Sequence, residues 1–184
     1  MGKASTRTRC AHNIHDRSGT KQQWGGTGVL THGTLAHYSG GSGVDPSGLG
    51  RWTWSLFTGK NNLKLRVVSI YIPCPNYTGE ICVHAQHKRY LQDQDDTRSP
   101  RKAFLEDFEA EMTKWLADGE QLIVGGDVNE AVTHQTIQGM FDRCNLRNLL
   151  FEQHAPEDAP NTYFRNTQDK VIDGLWATPG IQVL

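Results

Sequence analysis

Hydrophobic and polar positions change period along these 184 residues, and the changes mark out the elements. Short runs rich in β-branched and aromatic residues at 27–30, 52–57 (WTWSLF) and 65–72 (LRVVSIYI) predict strands. The third is apolar at successive positions, the pattern of a central strand covered on both faces. Over 101–118 the period lengthens. Phe104, Phe108, Met112 and Trp115 fall on one stripe with acids opposite, Pro100 stands just before the run, and Gly119 follows it, so the spacing predicts a helix. Residues 121–124 (QLIV) predict a buried strand ending in Gly-Gly-Asp. A second helix starts near Thr133 and turns Ile137, Met140, Phe141 and Cys144 inward. A short helix around 83–92 interrupts the polar connection 77–100, and residues 161–164 and 171–176 read as two strands around a polar turn. The Gly-rich stretches 40–50 and 59–62 read as turns. Residues 1–23 read as a basic, loosely structured lead-in, which leaves Asn13 and Asp16 in a strandless run. The order of elements predicts a mixed α/β (α+β) layered sandwich over 24–184 rather than an alternating doubly wound sheet.

Composition narrows the class. A hydrophobic content of 36% over this length supports one domain with a core. No apolar run approaches the roughly 18 residues of a membrane span, and the first twenty residues lack the apolar stretch of a secretory signal. Cys10, Cys74, Cys82 and Cys144 include no C-x-x-C pair, and Cys74, Cys82, His84 and His87 match no usual structural zinc spacing. The expectation is an intracellular protein, nuclear or cytoplasmic, with free thiols and no membrane partner. The formal net charge of −1 excludes a globally basic coat but hides an asymmetry: residues 1–102 carry 14 basic and 6 acidic residues, and residues 103–184 carry 5 and 14. Lys88, Arg89, Arg98, Arg101 and Lys102 suit either a loop contacting phosphates or a solvated loop offset by Asp93, Asp95 and Asp96. The five tryptophans fit core packing better than base stacking.

The chemistry concentrates in residues 122–130, LIVGGDVNE. Asp127 and Asn129 stand two apart at a strand end, so both side chains can face one cleft. A carboxylate that takes a proton from water, beside a carboxamide that donates to a phosphate oxygen, suits phosphoryl hydrolysis. The same residues also suit a turn that caps the following helix, and the local sequence leaves both readings open. Residues 69–73 (SIYIP) bring Tyr71 near the sheet edge, while Thr162 and Asp173 add a hydroxyl and a carboxylate on the last two strands. Together, and with the early WGGTGVL run, these motifs resemble the endonuclease/exonuclease/phosphatase superfamily of DNase I-like proteins, from about Trp24 to the C-terminus. The GLGRWTW run and the long insertion after Tyr-x-Pro look most like the endonuclease-like domains of eukaryotic non-LTR retroelements.

The resemblance implies an α/β/β/α sandwich and metal-dependent cleavage of DNA phosphodiester bonds, with RNA as a further nucleic-acid partner. It gives Tyr71 a contact to the scissile phosphate, Asp127 the orientation or deprotonation of the attacking water, and Asn129 a transition-state contact. Asp173 takes part in the metal and catalytic-histidine network, which the Thr162 hydroxyl supports, with Asp127 as a further metal ligand, and Thr162, Arg101 and Lys102 are expected to bind substrate. The implied cofactor is Mg²⁺, with Mn²⁺ as a substitute, and hard oxygen ligands suit it. The family's opening Asn strand, its chief metal-binding Glu and its closing Ser-Asp-His are not matched. The expectation is therefore a domain incomplete at both ends and weakly active or inactive alone. A reverse transcriptase or a complementary segment of the domain is the expected protein partner. A phosphatase acting on small phosphate esters and a non-catalytic nucleic-acid- or protein-binding remnant are the alternatives.

Overall fold

A computed structural model describes residues 7–13, 26–74, 82–155, 158–165 and 168–182. In chain order the strands are β1 (Thr8–His12), β2 (Gly28–His32), β3 (Ser39–Val44), β4 (Trp52–Thr58) and β5 (Lys64–Tyr71). The helices α1 (Val83–Asp93) and α2 (Pro100–Ala117) follow, then β6 (Gln121–Asp127), α3 (Gln135–Arg143), β7 (Arg147–Asn148) and α4 (Leu150–Gln153). The hairpin β8 (Tyr163–Arg165) and β9 (Gln168–Lys170) leads into β10 (Asp173–Ala177). Six strands form the central sheet in the order β3-β4-β5-β6-β10-β7. Among the described strands only the β5–β6 pair is parallel, with α1 and α2 in its crossover.

Alternation along β5 and β6 sets the layers. Arg66, Val68 and Ile70 on β5 and Leu122 and Val124 on β6 are buried beneath the helices, in one core with Trp52, Phe104, Phe108, Met112, Phe141 and Trp176. Helix α2 meets this layer through its apolar stripe. It starts at Ser99, whose hydroxyl accepts from the Lys102 amide, with Pro100 in the first turn, and it stops at Gly119. Helix α3 adds Phe141, which stacks on Trp176 at 4.0 Å between ring centroids. The ribbon β1–β2 lies against β3, β4 and β5 on the opposite face, where the Thr27 and Thr53 hydroxyls are 2.8 Å apart. The resulting layers among the described residues are helix, sheet and second ribbon, a mixed α/β layering that matches the first three layers of the expected sandwich. No helix of the described residues is long and apolar enough to cross a membrane.

Three expectations change. Residues 8–12, taken as part of a strandless lead-in, form β1 and pair antiparallel with β2, and Asn13 is buried with its amide donating to the Trp52 carbonyl at 3.4 Å. Asp16 and Trp24 lie outside the described residues. The start of the stretch 40–50, expected as a turn, belongs instead to the edge strand β3. Its sequence SGGSGV has no apolar alternation, yet the Trp54 indole lies so close over Gly43 that a Cβ there would come within 2.4 Å of the ring. Residues 168–170, expected within the polar turn between the last two strands, form β9 and pair antiparallel with β8.

Gly126 controls the spacing at the heart of the sheet. A Cβ at this position would sit 2.0 Å from the Ile70 carbonyl oxygen and 2.8 Å from its carbon, both backbone atoms of the neighbouring strand. Gly126→Ala is therefore expected to force β5 from β6 and to destabilise the fold by about 1–3 kcal/mol, the usual cost of overpacking. Chemical denaturation measures this, and an unchanged midpoint would show that the strands part freely.

Candidate active site

Strand register brings three of the sequence-predicted residues into one row. Tyr71 pairs with Asp127 across the parallel β5–β6 ladder, and Asp173 pairs with Asp127 across the antiparallel β6–β10 ladder. All three project from the sheet face opposite the helices: Tyr71 and Asp127 are out of phase with the buried positions of their own strands, and Asp173, directly opposite Asp127, shares its face. Directly opposed residues of an antiparallel pair hold their Cβ atoms about 4.5–5.5 Å apart, so Asp127 and Asp173 form a carboxylate pair. Asp173 is exposed and Asp127 partly covered. A cleft of about 390 Å³ opens beside Asp173, lined also by Thr162, Leu149, Leu150, His154 and Leu175.

The surroundings tune the row. Burial, and after it the Asp173 charge, push the Asp127 pKa above the ordinary carboxylate value, against the Asn129 amide and the Arg101 guanidinium. Burial also raises the Tyr71 phenol, as do the nearby Cys74 and Asp127, while a hydrogen bond with Asn129 works the other way. Tyr71 thus stays protonated at neutral pH and keeps a hydrogen to donate. Thr162 supports Asp173 through its hydroxyl oxygen, which accepts from the Ile172 and Asp173 amides at 3.0 and 3.1 Å.

Asn129 reaches the row but turns inward. Its amide N–H donates to Asp127 Oδ1 at 2.8 Å, the turn left open by the sequence, and its backbone is left-handed (φ 51°), a conformation asparagine tolerates. Its carboxamide Nδ2 donates to the Ile72 carbonyl at 2.9 Å, and its Oδ1 accepts from the Cys74 thiol at 3.0 Å. The Arg101 guanidinium, expected to bind substrate, also turns inward, onto the Pro73 and Val128 carbonyls and the Glu130 carboxylate. Lys102 is exposed, with Glu106 3.8 Å away. Arg98 is held by Asp96, Glu106 and Asp107, while Lys88 and Arg89 lie exposed on α1. Sequence reasoning gave no role to Cys74 or Glu130. The distance in sequence to their partners hid them.

Two hard oxygen donors, Asp127 and Asp173, are available to a divalent cation. Their like negative charges, which with burial raise the Asp127 pKa, are what such an ion would neutralise. No group of three His, Cys, Asp or Glu side chains suited to a metal occurs among the described residues. The pair therefore fits an ion such as Mg²⁺, which keeps much of its water shell and takes one or two carboxylates.

The raised Asp127 pKa has a consequence for stability. The folded carboxyl binds its proton more tightly than the unfolded chain does, so ionising it costs stability above the folded pKa and nothing below the unfolded value. Asp127→Asn, which keeps the acceptor for the Asn129 amide, is expected to raise the Tm at neutral pH. The gain should shrink as the pH falls into the ordinary carboxylate range. Melting curves of both proteins across that range provide the check, and a lower Tm for the variant at neutral pH would contradict it.

The layers and the mixed six-stranded sheet are those of a DNase I-like fold. Among solved structures, the 3′ phosphatase NExo from Neisseria, bound to a product DNA hairpin, is 19% identical with a TM-score of 0.54, the match covering 94% of this chain and 67% of that one. The catalytic domain of human Nocturnin is 14% identical (TM-score 0.42), covering 70% of this chain and 41% of its own. An endonuclease/exonuclease/phosphatase family protein from Bacteroides thetaiotaomicron gives 14% identity, a TM-score of 0.41 and the same coverages. The match thus spans about two fifths of the length of the last two. No family model and no curated protein matches it.

Proposed function

We propose that the Tyr71–Asp127–Asp173 row is a site for divalent-metal-assisted hydrolysis of a phosphodiester bond, with DNA as substrate. The observation that carries this reading is the register: a phenol and two carboxylates stand side by side on three adjacent strands, facing one way. A Mg²⁺ ion held by Asp173 and Asp127, or Mn²⁺ in its place, would supply charge neutralisation at the phosphate and the leaving oxygen. Asp127, with its raised pKa, accepts the proton of the attacking water. The Tyr71 hydroxyl donates to a non-bridging phosphate oxygen, where charge builds up in the transition state. Thr162 keeps Asp173 in line by holding its backbone amide. The DNA-bound neighbour of like fold supports a nucleic-acid substrate. The retroelement resemblance makes a reverse transcriptase, or a further segment of the domain, the expected companion.

The test separates substrates in one set of reactions with Mg²⁺. Supercoiled plasmid, a 3′-phosphorylated oligonucleotide and a sugar phosphate are each incubated with the protein. The expected result is slow conversion of plasmid to nicked circles. Phosphate release without nicking would reassign the site to phosphomonoesters. Salt-dependent DNA binding with no product from any substrate would make the domain a binding module and overturn the proposal.

A further inference from the structure

We propose that Arg101 is a positioning residue of this site: its guanidinium ties the exit of β5 to the exit of β6 and thereby sets Tyr71 and Asn129. The inference rests on reading the row as a hydrolytic site. Arg101 lies in the first turn of α2, where the helix dipole does not favour a cation, and only 12% of its side chain is exposed. Such a place has to be offset by acceptors, and the structure supplies three. Nη1 donates to the Pro73 carbonyl at 3.1 Å and to the Val128 carbonyl at 2.9 Å, and Nη2 donates to Glu130 Oε2 at 2.6 Å.

The positions of these acceptors give the contact its meaning. Pro73 follows Tyr71 by two residues, Val128 lies between Asp127 and Asn129, and Glu130 follows Asn129. One planar cation therefore spans both strand exits just beyond the row. Beneath it the exits meet through the Ile72 amide on the Asp127 carbonyl at 2.9 Å, and through the Asn129 side chain on Ile72 and Cys74. The Cys74 thiol stays in reach of Asn129 Oδ1 only while the two loops remain together. A lysine carries the charge but lacks the fork that grips two carbonyls and a carboxylate at once. Shape, and not charge alone, is what Arg101 contributes.

The test uses Arg101→Lys and Arg101→Ala in the full chain, with two readouts. The first is iodoacetamide labelling of Cys74, quantified by peptide mapping with exposed Cys10 as the internal reference. The second is the split between kcat and KM for plasmid nicking. Both variants are expected to label Cys74 several-fold to about tenfold faster, the scale of one lost hydrogen bond. They are also expected to lose kcat with KM nearly unchanged, and added guanidinium should restore Cys74 protection in Arg101→Ala. Unchanged labelling with a raised KM would make Arg101 a substrate contact and overturn the proposal, as would unfolding of both variants. If the wild type cleaves none of the substrates, the hydrolytic reading fails, while the labelling still decides whether Arg101 holds the loops together.

Discussion

Arg66→Ala is expected to destabilise the protein by about 3–5 kcal/mol, the cost of leaving one partner of a buried ion pair uncompensated. Arg66 rises from β5 into the helix-covered core, where Nε and Nη2 donate to the two Glu120 oxygens at 2.6 and 2.8 Å. Both side chains are at most 6% exposed. The guanidinium also lies over the Trp54 ring at 3.8 Å and the Trp115 ring at 4.5 Å, so β4, β5 and α2 converge on it. Against a total stability of about 5–15 kcal/mol for a domain, the loss is large. Glu120→Ala should cost about as much, since it strands the arginine. The double variant Arg66→Met/Glu120→Leu should recover most of the loss, because apolar replacements of similar volume leave no buried charge. Urea denaturation of the three proteins provides the check. A double variant as unstable as the singles would show that the aromatic sandwich, and not the pairing of charges, carries the effect.

Asp127→Ala is expected to lower Mg²⁺-dependent cleavage by about 10²–10³-fold or more, the usual effect of deleting one group that acts on the transition state. The expectation follows from its place. Asp127 is the middle member of the row, in register with Tyr71 on one side and Asp173 on the other, so its loss removes both the proposed proton acceptor and half of the carboxylate pair. The fold should persist, because Asp127 is not part of the buried core and its charge is held there at a cost. Single-turnover cleavage measured beside circular dichroism separates the two. A rate within a few-fold of wild type would remove Asp127 from the chemistry.

Much of this arrangement was legible in the residues. Strands β5 and β6 and helix α2 declare themselves through apolar period, a proline start and a glycine stop. Tyr71, Asp127 and Asp173 stand at ends of such elements, where a motif can be placed on a strand. What was hidden depends on long-range pairing. Strand β3 has no apolar alternation and exists because β4 pairs with it and Trp54 covers its glycines. Strand β1 is too polar to predict alone and is recruited by β2. The inward turn of Arg101 depends on carbonyls 27 and 28 residues away, and the Arg66–Glu120 pair closes over 54. A basic residue beside a phosphate-chemistry motif looks like a phosphate contact until its acceptors are known.

The central claim is that one row of side chains on one sheet face, working with a divalent cation, cleaves DNA. Relaxation of supercoiled plasmid tests it most directly, with wild type in Mg²⁺ beside wild type in EDTA and the Asp127→Ala/Asp173→Ala double variant in Mg²⁺. Nicked circles should accumulate only in the first reaction. Equal nicking in all three, or none in the first, would contradict the account.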